Sequence, residues 1–208
     1  MVKNIDKLPA TQVFNYVVKA ALFASFFVAI FFPPEVLEGK GMAFRAPLFL
    51  ASAILVPIIY SRGGIAGKKK KLKLSQRKGY PHLADGLLAM PFLLDTLGNL
   101  FGFYDKYNAT DDVLHFTNWV FLVLAFMAFR YRKSSSNKDG ILIGAGFGAI
   151  MIVVWEAFEW LISDAGPFAG DVPDALSLTY GDTIGDLVIS FSGGVLGAVI
   201  ARYWFGRK

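Results

Sequence analysis

The chain has 208 residues, of which 55% are hydrophobic, 15% aromatic and only 18% charged, against about 25% charged in a soluble domain. Its mean hydropathy is +0.49, and the charges fall in clumps between long apolar runs, which excludes an ordinary soluble globule. The absence of cysteine excludes disulfides and thiolate metal sites. The net charge of +5 follows a topological pattern and does not indicate nucleic acid.

A helix needs roughly 20 mainly apolar residues to cross the hydrocarbon core, and six runs qualify. The first covers about 16–32 and ends at Pro33-Pro34; the second covers about 42–60. The third is about 82–103, the fourth 111–129, the fifth 141–162 and the sixth 182–204. The first run is too long for a signal-peptide core and lacks a small-residue cleavage site, so it is expected to stay as an anchor. Residues 1–208 thus read as one integral membrane domain, an all-α transmembrane helical bundle.

Lysine and arginine near span ends mark the cytoplasmic side. With the N-terminus inside, the inner segments hold Lys3 and Lys7, eight basic residues from Arg62 to Lys78, and then Arg130, Arg132, Lys133 and Lys138. Arg202, Arg207 and Lys208 bring these to 17 of the 21 lysines and arginines. Lys19 lies near the inner end of the first span, from which it is expected to snorkel. Both termini are therefore expected in the cytoplasm, with the chain multi-pass in the cell (inner) membrane. The basic 62–78 loop, with its run Lys68 to Lys71 and Lys73, serves as a topology signal that also touches anionic lipid headgroups.

On this topology the intramembrane acids gather toward the outer side. Asp95 lies in the outer half of the third span, and Asp111, Asp112 and His115 open the fourth. Asp111 and His115 are i,i+4 and share a helix face. The fifth span carries Glu156 and Glu159 near its outer end, and the sixth opens with Asp182 and Asp186. At about 1.5 Å of rise per residue, the inner members fall within roughly 10 Å of the helix ends. Asp111, Asp112 and Asp182, at helix starts, also suit capping. Capping does not account for Asp95, His115, Glu156, Glu159 or Asp186. Carboxylates in a bilayer cost about 2.5–3.5 kcal/mol each at the centre, so a cluster of them signals a site.

Asp95, Asp111, His115, Glu156, Glu159, Asp182 and Asp186 are the candidate metal ligands. Many oxygens with one imidazole favour Mg²⁺, Mn²⁺ or Ca²⁺ and are compatible with Zn²⁺ or iron. A di-iron oxidase fits less well, because the pair is Glu-x-x-Glu where such bundles carry Glu-x-x-His. His82, at the inner end of the third span, is expected to be interfacial and apart from this cluster.

Asp111-x-x-x-His115-Phe116, Trp155-Glu156-x-x-Glu159-Trp160 and Asp182-x-x-x-Asp186, with Gly102-Phe103 ahead of the fourth span, resemble the YjdF-like family of bacterial inner-membrane proteins. The resemblance covers about residues 85–200 and implies this topology and this site. The family carries no assigned biochemical activity, so the resemblance leaves the reaction open.

Three functions fit these features. The first is a metal-dependent enzyme acting on a lipid or lipid-linked substrate at the outer face, with Glu156 or Glu159 as general base. The second is an ion- or proton-coupled transporter, which requires polar groups on the inner half as well. The third is a non-enzymatic scaffold or sensor. The acids are expected to stop at one side, which favours the enzyme. Gly144-x-x-x-Gly148 and Gly193-x-x-x-Gly197 are small-residue faces for close helix approach. Trp119, Trp155, Trp160 and Trp204 are expected near the membrane interfaces. The 164–181 segment, with Asp171 and Asp174, is expected to be a connector.

Overall fold

A computed structural model describes residues 9–31, 42–61, 79–133, 139–167 and 178–205. The basic 62–78 loop and the segment with Asp171 and Asp174 lie outside them. The described residues form helices α1 (Pro9–Phe31), α2 (Met42–Ser61), α3 (His82–Leu100), α4 (Phe103–Lys106), α5 (Thr110–Lys133), α6 (Gly140–Ile162) and α7 (Tyr180–Phe205). Each of the six long helices overlaps one of the six expected spans, although α1 begins at Pro9 where 16 was expected and α3 ends at Leu100 where 103 was expected. The single turn α4 is an addition: α3 stops at Leu100, and Gly102 turns the corner in the left-handed region at φ 62°. Glycine adopts that conformation without steric cost.

Among the described residues, four helices are long and apolar enough to cross a membrane on length and composition alone: α1, α5, α6 and α7. Their outward faces carry the side chains lipid would solvate. Val13 and Val17 on α1, Leu142, Ile150 and Val153 on α6, and Val188 on α7 are all well exposed. A soluble protein rarely leaves so continuous an apolar surface in water. In α2 the described apolar stretch is Pro47–Ser61. Helix α3 differs for a physical reason. In α3, Asp85, Asp95 and Asn99 lower the hydropathy, because α3 packs against α1, α2 and α5. A helix enclosed by protein has no need of a lipid-like surface.

The helices form two groups of three, α1–α2–α3 and α5–α6–α7, joined where α3 packs on α5. Within each group the first and third helices run parallel. Gly86 of α3 lies against Phe14 and Asn15 of α1, and Leu93 shares a buried cluster with Leu22. In the second group, Gly193 and Gly197 of α7 meet the backbone at Phe116 and Val120 of α5. A Cβ at Gly197 would stand 2.7 Å from the Val120 carbonyl oxygen. Helix α6 runs antiparallel to α7, with Gly144 against Ala198 and Gly148 against Gly194. Both small-residue faces are therefore packing surfaces, and they bring α5, α6 and α7 close together.

The N-terminal ends of α1 and α3 lie at the same end of the bundle as the C-terminal ends of α5 and α7, since Ala84, Leu87, Ala128 and Phe205 share one cluster. This is the end that carries Arg130 and Arg202, and we call it the basic end. The opposite, acidic end gathers the C-terminal end of α3, all of α4, and the N-terminal ends of α5 and α7. Trp160 and Trp204 are exposed near helix ends, as interfacial anchors would be, whereas Trp119 is buried inside the bundle. Trp119 packs between helices and does not anchor.

Candidate functional site

The acidic end brings together residues from three helices. Asp111 and His115 lie one turn apart on α5, Asp186 sits two turns into α7, and one ligand atom from each lies within 4.8 Å of the others. The close approach of α7 to α5 at Gly193 and Gly197 makes this contact possible. A side chain at either glycine would push the helices apart and take Asp186 away from His115.

The imidazole is held from both sides. His115 Nδ1 is 3.0 Å from the Ser190 hydroxyl, one turn beyond Asp186. Its Nε2 is 3.8 Å from Asp111 Oδ1 and 3.8 Å from Asp186 Oδ1. In the tautomer whose Nδ1–H donates to Ser190, Nε2 is left as an acceptor facing two carboxylates, an arrangement that suits a cation or a proton between them. Ser190 is fully buried, so it is well placed to fix the ring. No sequence pattern singled it out, although its spacing of four from Asp186 puts it on the same helical face.

Glu156 of α6 approaches the same region. Its side chain is buried, and neither Oε1 nor Oε2 has a hydrogen-bond partner among the described residues. It lies within electrostatic range of Asp186, Asp111 and Asp182. A buried carboxylate without donors loses its hydration and gains nothing in return. Among the described residues no lysine or arginine pairs with Asp111, Glu156 or Asp186.

The other expected members lie around this centre. Glu159, one turn beyond Glu156, is hydrogen-bonded by Trp155. Asp182 is exposed at the start of α7. Its backbone N–H donates to the Thr179 hydroxyl at 3.2 Å, so Thr179 supplies the helix cap. The Asp182 carboxylate is left facing the rim. Asp112 is exposed. Asp95 Oδ1 accepts hydrogen bonds from Tyr104 Oη at 2.9 Å and Asn99 Nδ2 at 3.3 Å. It thereby ties α4 back onto α3.

At the same end, a cavity of about 490 Å³ opens between α3, α4 and α5, lined by Leu97, Phe101, Phe103, Tyr107, Val113 and Leu114 among others. Its walls are almost wholly apolar. On α5, Val113 points away from Asp111 and His115 around the helix, whereas Leu114, three residues from Asp111, borders their face, so the cavity flanks the cluster.

Two residues read as incidental in the sequence belong to a second polar cluster at the basic end. Lys19 does not reach for the membrane surface; it pairs with Asp85 of α3, which is fully buried. His82 lies apart from the acidic cluster, as expected, and approaches Asn15 at 3.4 Å. The expectation that intramembrane acids stop at one side is therefore overturned by Asp85. Position 85, in the first turn of α3, resembles an ordinary helix-start aspartate in sequence. Only packing shows it enclosed by α1.

No curated protein and no solved structure matches the chain. The YjdF-like resemblance agrees with a family match, to an uncharacterised group of membrane proteins. Its model covers residues 14–207, nearly the whole chain, and the protein belongs to that family, described as "Predicted membrane protein (DUF2238)".

Proposed function

We propose that the protein is a membrane-embedded divalent-cation protein, whose centre of Asp111, His115 and Asp186 acts on the polar head of a lipid or lipid-linked substrate. The observation that carries this reading is Glu156: a buried carboxylate with no hydrogen-bond donor among the described residues, within electrostatic range of the Asp111 and Asp186 carboxylates that stand with His115. A cation would relieve that repulsion, and oxygen ligands with one nitrogen suit Mg²⁺, Mn²⁺ or Ca²⁺. When bound, the ion would supply Lewis acidity toward a phosphoryl or acyl oxygen. Ser190 orients His115. Glu156, or Glu159 beside it, stands ready to accept a proton from water. The apolar cavity at the same end supports a substrate with a hydrocarbon chain.

The basic end carries Arg130 and Arg202 and adjoins the Arg62–Lys78 loop in sequence, which supports a cytoplasmic placement. The site would then face outward from the inner membrane. The 62–78 loop would contact anionic headgroups. A cysteine at Asn108 should then react with an impermeant reagent from outside; protection there with labelling at Ser135 would reverse this orientation.

Elemental analysis of protein purified without chelators tests the metal. Wild type should carry a divalent ion, and Asp186→Asn should lose it. Metal-free wild type would sink the proposal. A second reading, an ion- or proton-coupled carrier, is favoured by one observation: Asp85 supplies a buried acid on the inner half, the element such a route requires.

A further inference from the structure

At the acidic end, the short helix α4 is tied to both of its long neighbours. Lys106 Nζ donates to the Phe101 carbonyl at 2.7 Å, and Tyr104 Oη donates to Asp95 of α3 at 2.9 Å. From α5, Thr110 Oγ1 donates to the Phe103 carbonyl at 2.8 Å. Gly98 of α3 lets two further side chains close in: a Cβ there would stand 3.0 Å from the Tyr104 ring and 3.2 Å from Leu114. The cavity of about 490 Å³ between these helices is therefore framed by groups that hold one another in place.

The walls decide what can fill it. Leu94, Leu97, Phe101, Phe103, Val113 and Leu114 offer no polar side chain, whereas an ordered water needs about two to four polar partners. The volume is that of an ordinary small-molecule site. Exposed aromatic rings mark the mouth: Phe101 and Phe103 lie 5.7 Å apart, and Phe103 and Tyr107 lie 6.1 Å apart. Aromatic rings at the end of a membrane bundle sit at headgroup level, where the apolar matter at hand is acyl chain.

Charge then selects the lipid. Lys106, three residues from Phe103, borders the cavity on α4, and its ammonium is held at the Phe101 carbonyl. Asp112, three residues from Ala109, borders it on α5. Both side chains are exposed. Asp105 is two residues from Phe103 and points away around α4. A base on one wall and an acid on another suit a headgroup that carries both signs.

We propose that this cavity is the acyl-chain site for a zwitterionic phospholipid, with the lipid phosphate toward Lys106 and its ammonium toward Asp112. Leu114, three residues from Asp111, carries the lipid to the edge of the acidic cluster. The inference rests on the reading of that cluster as directed at a lipid head, and it names the lipid class.

The test uses the full chain in phosphatidylglycerol nanodiscs doped with a phosphatidylethanolamine that carries a diazirine on its acyl chain. After illumination, mass spectrometry should place adducts on Leu97, Phe101 and Leu114. Leu142, well exposed on α6, reports contact with bulk lipid. Leu97→Trp fills the cavity and should remove most of its adducts while leaving those at Leu142 unchanged. If that variant fails to fold, Val113→Trp decides, because Val113 is already exposed at the mouth. Cavity adducts that neither tryptophan reduces would overturn the proposal. So would disulfide-linked dimers of Phe101→Cys, which would put a second copy over the mouth. Lys106→Gln should lower cavity labelling about five-fold, and a phosphatidylglycerol probe should label the cavity less than the phosphatidylethanolamine one. Equal labelling by the two probes would refute the headgroup assignment. The metal reading fails separately: Asp186→Asn should keep wild-type adducts, so metal-free protein that still labels loses the cation alone.

Discussion

The two ends of the bundle are built alike and satisfied differently. At each end a pair of parallel helices, α1 with α3 or α5 with α7, places polar residues on its N-terminal part. Because each group has three helices, the two clusters come out at opposite ends. At the basic end a carboxylate meets a lysine, a tyrosine and an asparagine. At the acidic end carboxylates meet one another and a single histidine. The first cluster carries its own counter-charge, and the second lacks one. That difference separates a cluster whose charge is compensated within the protein from one whose charge is not.

The comparison predicts unequal responses to removing one carboxylate. Asp85→Ala would strand the Lys19 ammonium in the interior, so stability should fall by about 3–5 kcal/mol, read as a lower unfolding temperature in detergent. Glu156→Gln, by contrast, removes a charge that has no partner and should leave metal-free protein as stable as wild type or more so. If Glu156→Gln destabilises as much as Asp85→Ala, the two ends are not different in kind.

Overpacking α5 against α7 comes next. Gly193→Leu forces a side chain onto the Phe116 backbone and should cost about 1–3 kcal/mol, with loss of bound metal as Asp186 moves from His115. Retained metal would show that the centre does not depend on this helix contact. Ser190→Ala frees the His115 ring and should weaken divalent-ion affinity by about 10–100-fold, as second-sphere losses do. Measured by competition with a chelator, unchanged affinity would remove Ser190 from the site. The smallest effect is expected for Tyr104→Phe, which deletes one hydrogen bond to Asp95. About 0.5–1.5 kcal/mol of stability should go with it, and metal content should hold. Lost metal in Tyr104→Phe would bring Asp95 into the centre.

Much of the fold was legible because its signal is local. Each long helix declares itself in a run of apolar residues, and the basic residues sort the helix ends. The glycine faces of α6 and α7 were also visible as spacing, although which helix each would meet was not. The acidic cluster was partly legible: Asp111 with His115 shares a face through i,i+4 spacing, and Asp186 falls at matching depth on another helix. Asp95 matched the cluster in depth, and the structure adds a partner the sequence did not show, Tyr104 on the unforeseen turn α4, which donates to its carboxylate.

The basic end shows what sequence could not convey. Lys19 on an apolar helix reads as a snorkelling lysine and His82 as an interfacial histidine, while Asp85 in the first turn of α3 carries nothing in sequence to set it apart. Each reading is sound for a residue taken alone. Their meaning changes because α1 and α3 pack in parallel at Gly86, which sets Asn15 and Lys19 against Asp85 across about 70 positions of chain. By itself the sequence determined the membrane class, the helices and the end to which most charges go, since hydropathy and charge act residue by residue. Only tertiary structure decided which polar groups meet, because a buried side chain's partner is set by helix packing and not by its neighbours in the chain.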